Sequence, residues 1–170
     1  FINILNSLSA PYLLYSGSLL MMYRNCSIGN HDIDFSLELD WWKDNKEVLD
    51  NALVDAGFSL TFVFGNINDT WGYEEAWSKD GWKVDIFSNI MVGNIHKIGF
   101  WIKGKKYPCT FPLDRVGVYK WRESVKVRVP VPVKDAVIAM FGKNWEQPAD
   151  GWEWDVDPFL TGFCSYTDAT

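Results

Sequence analysis

Two aspartates one residue apart lie in Ile28-Gly29-Asn30-His31-Asp32-Ile33-Asp34-Phe35, shortly after Tyr15-Ser16-Gly17-Ser18-Leu19-Leu20-Met21-Met22-Tyr23-Arg24. The order of these pieces constrains the fold more than any other feature. A Gly-Ser turn opens a short helix, and a strand then carries both carboxylates. Side chains at i and i+2 of a strand share a face. Asp32 and Asp34 therefore project together, while Ile33 and Phe35 can face a core. Two adjacent anions repel unless a cation lies between them, and hard carboxylate oxygens suit Mg²⁺ or Mn²⁺.

The rest of the chain reads as a small mixed α/β domain (α+β). Phe1 to Leu8 looks like the end of a helix, and Pro11 to Tyr15 like a short buried strand entering the Gly17-Ser18 turn. Leu19 to Tyr23 reads as a helix and Asp32 to Leu37 as a strand. Asp44 to Ala56 has apolar residues at helical spacing, with Gly57 as its stop. Strands are expected at Phe58 to Phe64, Trp71 to Trp77 and Trp82 to Phe87, with a hairpin turn at Gly81. Residues 91–128 read as a strand-and-loop insert. Pro130 and Pro132 precede a helix at Lys134 to Phe141, and the tail from 143 to 170 reads as irregular. With 170 residues and no repeat, residues 1–170 read as one domain.

Lys83-Val84-Asp85-Ile86-Phe87 supplies a third carboxylate. Val84 and Ile86 facing a core would aim Asp85 at the opposite face. If its strand pairs with that of Asp32 and Asp34, three carboxylates converge on one metal site. Gly17 has a mechanical rationale: its bare backbone lets a phosphate approach, and the following helix N-terminus offers free N–H groups. Ser18 can add a donor, Arg24 can pair with phosphate oxygens, and His31 can donate to phosphate or carry a proton. Against these, a lone Gly-Ser is usually an ordinary turn, an arginine near a helix C-terminus is often a surface residue, and His31 more readily only shapes the loop. A second Asp-x-Asp, Asp155-Val156-Asp157, lies in the tail without strand-forming flanks and reads as a solvated loop.

A formal net charge of −6 argues against a nucleic-acid-binding surface, and an anionic phosphate substrate would need local screening. No apolar run approaches the ~20 residues of a membrane span. The chain begins at Phe1 rather than Met, so it reads as N-terminally truncated, with room for an anchor upstream. Cys26, Cys109 and Cys164 fit no zinc spacing, and which pair could join is open. Sequons at Asn25-Cys26-Ser27 and Asn68-Asp69-Thr70 permit a secretory location. Of the ten tryptophans, Trp145, Trp152 and Trp154 are candidates for a sugar-stacking surface, although most tryptophans simply fill core. Lys103, Lys105 and Lys106 read as a solvated hairpin tip.

The run from Gly17-Ser18-Leu19-Leu20 through Arg24 to His31-Asp32-Ile33-Asp34 resembles the LicD/fukutin family of phosphotransferases. So do Asp55-Ala56-Gly57-Phe58, Val84-Asp85-Ile86-Phe87, Phe111-Pro112-Leu113, Val127-Arg128-Val129-Pro130-Val131-Pro132, Phe141-Gly142-Lys143-Asn144-Trp145 and Trp152-Glu153-Trp154-Asp155, in the order of the fukutin branch. Asn30 and His31 stand where the bacterial pattern has Trp and a further Asp, and Met21 replaces a second glycine. The resemblance implies a nucleotidyltransferase-like fold with a small mixed central sheet. It also implies transfer of a phospho-alcohol, of ribitol 5-phosphate or phosphocholine type, from a CDP-linked donor to a glycan hydroxyl. It carries the metal ligands onto Asp32, Asp34 and Asp85, and substrate binding onto Gly17, Ser18 and Arg24, whereas His31 is a substrate-binding candidate only from its place beside the two aspartates. It further implies a Golgi location behind an N-terminal anchor. Two other readings compete: a fukutin-like binding module without chemistry, and a nucleotidyltransferase acting on a small molecule or protein.

Overall fold

The computed structural model describes residues 1–26, 31–102, 105–121, 125–147 and 164. In chain order the elements are α1 (Ile2–Ser7), β1 (Tyr12–Leu14), α2 (Ser16–Asn25), β2 (Asp32–Glu38), α3 (Leu39–Asp55), β3 (Ser59–Phe64), β4 (Glu74–Lys79), β5 (Trp82–Val92), β6 (Ile95–Ile102), β7 (Lys105–Pro112), β8 (Arg115–Trp121), β9 (Val125–Val131) and α4 (Val133–Phe141). The α+β expectation holds. A central mixed sheet runs β1-β2-β5-β4-β3, with β6 and β7 continuing from β5. β2 and β5 are parallel, and the other pairs in this sheet are antiparallel. β8 and β9 form a separate two-stranded ribbon.

The sheet has two chemically distinct faces because side chains alternate. On the core side, Phe35 and Leu37 of β2, Val84 and Ile86 of β5 and Trp77 of β4 are buried. Trp42, Leu49 and Leu53 of α3 join the same core. Glu75, between Tyr73 and Trp77, is also fully buried. It is held by Tyr73 Oη–H, by Trp77 Nε1–H at 2.9 Å and by Lys46 Nζ at 2.7 Å. Residues of opposite parity, Asp34, Asp85 and Glu74, face the other side and line a cleft.

Several boundaries differ from the sequence reading. α3 starts at Leu39 rather than Asp44, because Leu39 and Trp42 extend its buried seam while Val48 is exposed. β4 starts at Glu74 rather than Trp71, since Gly72 adopts a left-handed φ of 82° and breaks the strand. β5 runs on to Val92, and what read as a strand-and-loop insert over 91–128 is largely continuous strand. Pro108 and Pro112 lie in β7 and Pro130 in β9, each of which pairs with one named strand among the described residues, while Cys109 of β7 also bridges Cys164. Among the described residues no helix is long and apolar enough to cross a membrane. Trp152, Trp154, Asp155, Asp157, Lys103 and Gly104 lie outside the described residues.

Candidate active-site cleft

Parallel pairing puts Asp34 of β2 directly opposite Asp85 of β5, and Asp32 opposite Lys83. Carboxylate oxygens of Asp32, Asp34 and Asp85 all lie within 4.8 Å of one another. Asp32 is exposed and Asp34 half-buried, while Asp85 is only 5% exposed. Burial raises the Asp34 carboxyl to about 7, and the charges of Asp32 and Asp85 add to the rise. Burial also pushes Asp85 up, against the pull of Lys83.

The acidic group fits a hard divalent cation. Ligand oxygens around Mg²⁺ lie about 3–4 Å apart, so small side-chain rotations close the observed spacing. Asp85 Oδ1 is buried without a hydrogen-bond partner among the described residues, and such an oxygen is costly to leave unsatisfied. Its other oxygen pairs with Lys83 Nζ at 2.5 Å, and the same ammonium stands 4.0 Å from Asp32. Burial works against the Lys83 charge, but the hydrogen bond to Asp85 and the neighbouring aspartates outweigh it and raise its pKa. Lys83 therefore supplies positive charge from the edge of the triad.

The N-terminus of α2 forms the opposing wall, where Ser16 and Gly17 line the cleft. Tyr15 N–H donates to the Asp34 carbonyl at 3.0 Å, and the first N–H bond of the helix runs from Leu19 back to Tyr15. The N–H groups of Ser16, Gly17 and Ser18 precede that bond and have no partner within the helix. Ser16 takes a left-handed φ of 47°, a strained backbone at the mouth of a site. A Cβ on Gly17 would stand 3.5 Å from Asp34 Oδ2, so the glycine keeps open the space beside that carboxylate.

The other expected binding residues are placed differently. Ser18 is buried, and Asp34 N–H donates to its Oγ at 2.9 Å. It thus ties the helix to β2 and does not line the cleft. Arg24 is seven residues beyond Gly17, about 10 Å along the helix. Its guanidinium donates to the Trp145 carbonyl and, at 3.4 Å, to that of Gln147. His31 has a left-handed φ of 69°, and its ring packs on Trp82 with centroids 4.9 Å apart. Trp145 packs on Tyr23, with centroids 5.0 Å apart.

The sequence reading missed Lys83, Glu74, Ser16 and an aromatic wall. The cleft has a volume of about 830 Å³, and Phe62, Phe64, Phe87 and Phe141 line it beside the acidic group. Strand alternation could have found Lys83, two residues before Asp85 on the same face. Glu74 requires knowledge of the β4–β5 register, which no local motif supplies.

Cys109 and Cys164 form a disulfide, and Cys26 is free and exposed.

No family model matches the chain. It is 33% identical to ribitol-5-phosphate transferase FKTN of Macaca fascicularis over 158 residues, which is 91% of this chain and 33% of that protein. The Homo sapiens protein of the same name is 32% identical over 158 residues, and that of Mus musculus 30% over 162, with the same coverage of both chains. The chain thus spans about a third of the length of these relatives. The similarity covers nearly all of this chain and supports a fukutin-like relationship.

Proposed function

We propose that this chain carries the active site of a transferase that moves ribitol 5-phosphate, or a related phospho-alcohol, from a CDP-linked donor to a glycan hydroxyl. The observation that carries the proposal is the convergence of Asp32, Asp34 and Asp85 in the lining of one large cleft. The similarity to ribitol-5-phosphate transferases names the reaction class.

In this reading Asp32, Asp34 and Asp85 hold Mg²⁺ or Mn²⁺. When bound, such an ion neutralises the donor diphosphate and the charge developing on the leaving group. The N–H groups of Ser16 and Gly17 point donors at the phosphates from a helix N-terminus. The missing side chain at Gly17 admits a phosphate oxygen beside Asp34. Lys83 adds a positive charge beside the same carboxylates. Phe62, Phe64, Phe87 and Phe141 supply apolar surface beside the acidic group. The acceptor oxygen bonds to the phosphorus bearing the ribitol, the bond from that phosphorus to the CMP oxygen breaks, and CMP leaves.

A Golgi lumenal location accords with the disulfide, since such bonds persist in oxidising compartments. Asn25 and Asn68, the sequon asparagines, are both exposed.

The test uses the full-length protein with Mn²⁺, CDP-ribitol and an O-mannosyl glycan, and measures CMP release. Asp32→Asn and Asp34→Asn should each abolish it. Wild-type turnover in those variants would place the chemistry elsewhere.

A further inference from the structure

Five titratable groups line the cleft among the described residues: Asp32, Asp34, Asp85, Lys83 and Glu74. The first three form the acidic group, and Lys83 is paired with Asp85. Glu74 is left over. It does not belong to the cluster within 4.8 Å, and no hydrogen bond or ion pair engages its carboxylate among the described residues. Its sequence neighbour Glu75 points to the opposite face and is committed to Tyr73, Trp77 and Lys46.

The register fixes where Glu74 stands. It is opposite Phe87, and Ala76 is opposite Asp85. Glu74 and Asp85 are therefore diagonal neighbours on one face of an antiparallel pair, with backbone positions about 7–8 Å apart. Glu74 lines the same cleft but stands outside the group of three carboxylates whose oxygens all lie within 4.8 Å of one another. Carboxylates engaged by a cation are poor proton acceptors, so the acceptor's proton needs another destination.

We propose that Glu74 is the general base of the transfer, taking the proton from the attacking glycan hydroxyl. This rests on the transferase reading above. As the acceptor oxygen bonds to phosphorus and CMP departs, the proton passes to the Glu74 carboxylate and is later released to water. The environment suits the role: burial is the largest influence on the Glu74 carboxyl and raises it above its ordinary value, and a base poised near the working pH is effective.

The test compares full-length wild type, Glu74→Gln and Glu74→Asp in three measurements: CMP release with CDP-ribitol and an O-mannosyl glycan, Mn²⁺ affinity by calorimetry, and CDP-ribitol affinity without acceptor. Glu74→Gln should bind Mn²⁺ and CDP-ribitol as wild type does, while kcat falls about 100-fold or more. Glu74→Asp should recover part of that loss. A Glu74→Gln kcat within threefold of wild type would overturn the assignment while leaving the transferase reading intact. A parallel loss of Mn²⁺ affinity would overturn it in favour of a fourth metal ligand. Absence of CMP release by the wild type would remove the transferase reading and this proposal with it.

Discussion

Asp34 and Asp85 are register partners on the two parallel strands at the centre of the sheet. Their side chains share a face, and Asp32 joins them from the start of β2. Three carboxylates so placed repel one another without a cation, and the rise of Asp34 to about 7 reflects burial first and that repulsion second.

A pH-dependent stability follows. The Asp34 carboxyl has an ordinary value of 3.8 and is raised in the fold. Between those two values the folded chain keeps a proton that the unfolded chain has lost. Stability from this group is therefore greatest at low pH and falls as pH rises through about 7. Metal-free Asp34→Asn should melt above wild type at pH 8 in EDTA, with the gap narrowing towards pH 5. Thermal denaturation across this range checks it, and parallel melting curves at every pH would contradict it.

Lys83 competes with a metal for the same carboxylates. It is half-exposed and paired with Asp85, so the contest is worth about 0.2–1 kcal/mol. Lys83→Met should tighten Mn²⁺ binding about two- to fivefold, as read by calorimetry. Weaker binding would mean that the lysine helps to build the site.

Gly17 and Ser18 are adjacent but should fail in different ways. Gly17→Ala keeps a helix-compatible backbone and places a methyl 3.5 Å from Asp34 Oδ2. It should leave the melting temperature within a few degrees of wild type and raise the KM for CDP-ribitol. Ser18→Ala removes the acceptor of the Asp34 N–H and should cost about 1–3 kcal/mol. Chemical denaturation alongside steady-state kinetics separates the two.

The contrast shows what the sequence makes legible. Local order revealed the strand, helix and Asp-x-Asp, because alternation and glycine stops act within a few residues. Asp85 was accessible through the apolar Val84 and Ile86 flanking it. The phosphate-binding roles expected of Ser18 and Arg24 did not anticipate their structural bonds. The partners of Arg24 lie more than a hundred residues away in sequence, and the Asp34 amide depends on how α2 folds back on β2. Glu74 and the aromatic wall arise from strand register, which is a tertiary property.

The Cys109–Cys164 bond closes a 55-residue separation, which restricts the unfolded chain by about 2–4 kcal/mol. Reduction with dithiothreitol, or Cys109→Ser, should lower the denaturation midpoint accordingly. An unchanged midpoint would mean that the bond does not form in solution.

The central claim is that Asp32, Asp34 and Asp85 form one divalent-cation site. Calorimetric titration of Mn²⁺ into the full-length wild type and Asp34→Asn, both folded by circular dichroism, tests it most directly. The account predicts a wild-type Mn²⁺ site that is lost in Asp34→Asn. Equal Mn²⁺ binding by both proteins, or none by the wild type, would contradict it.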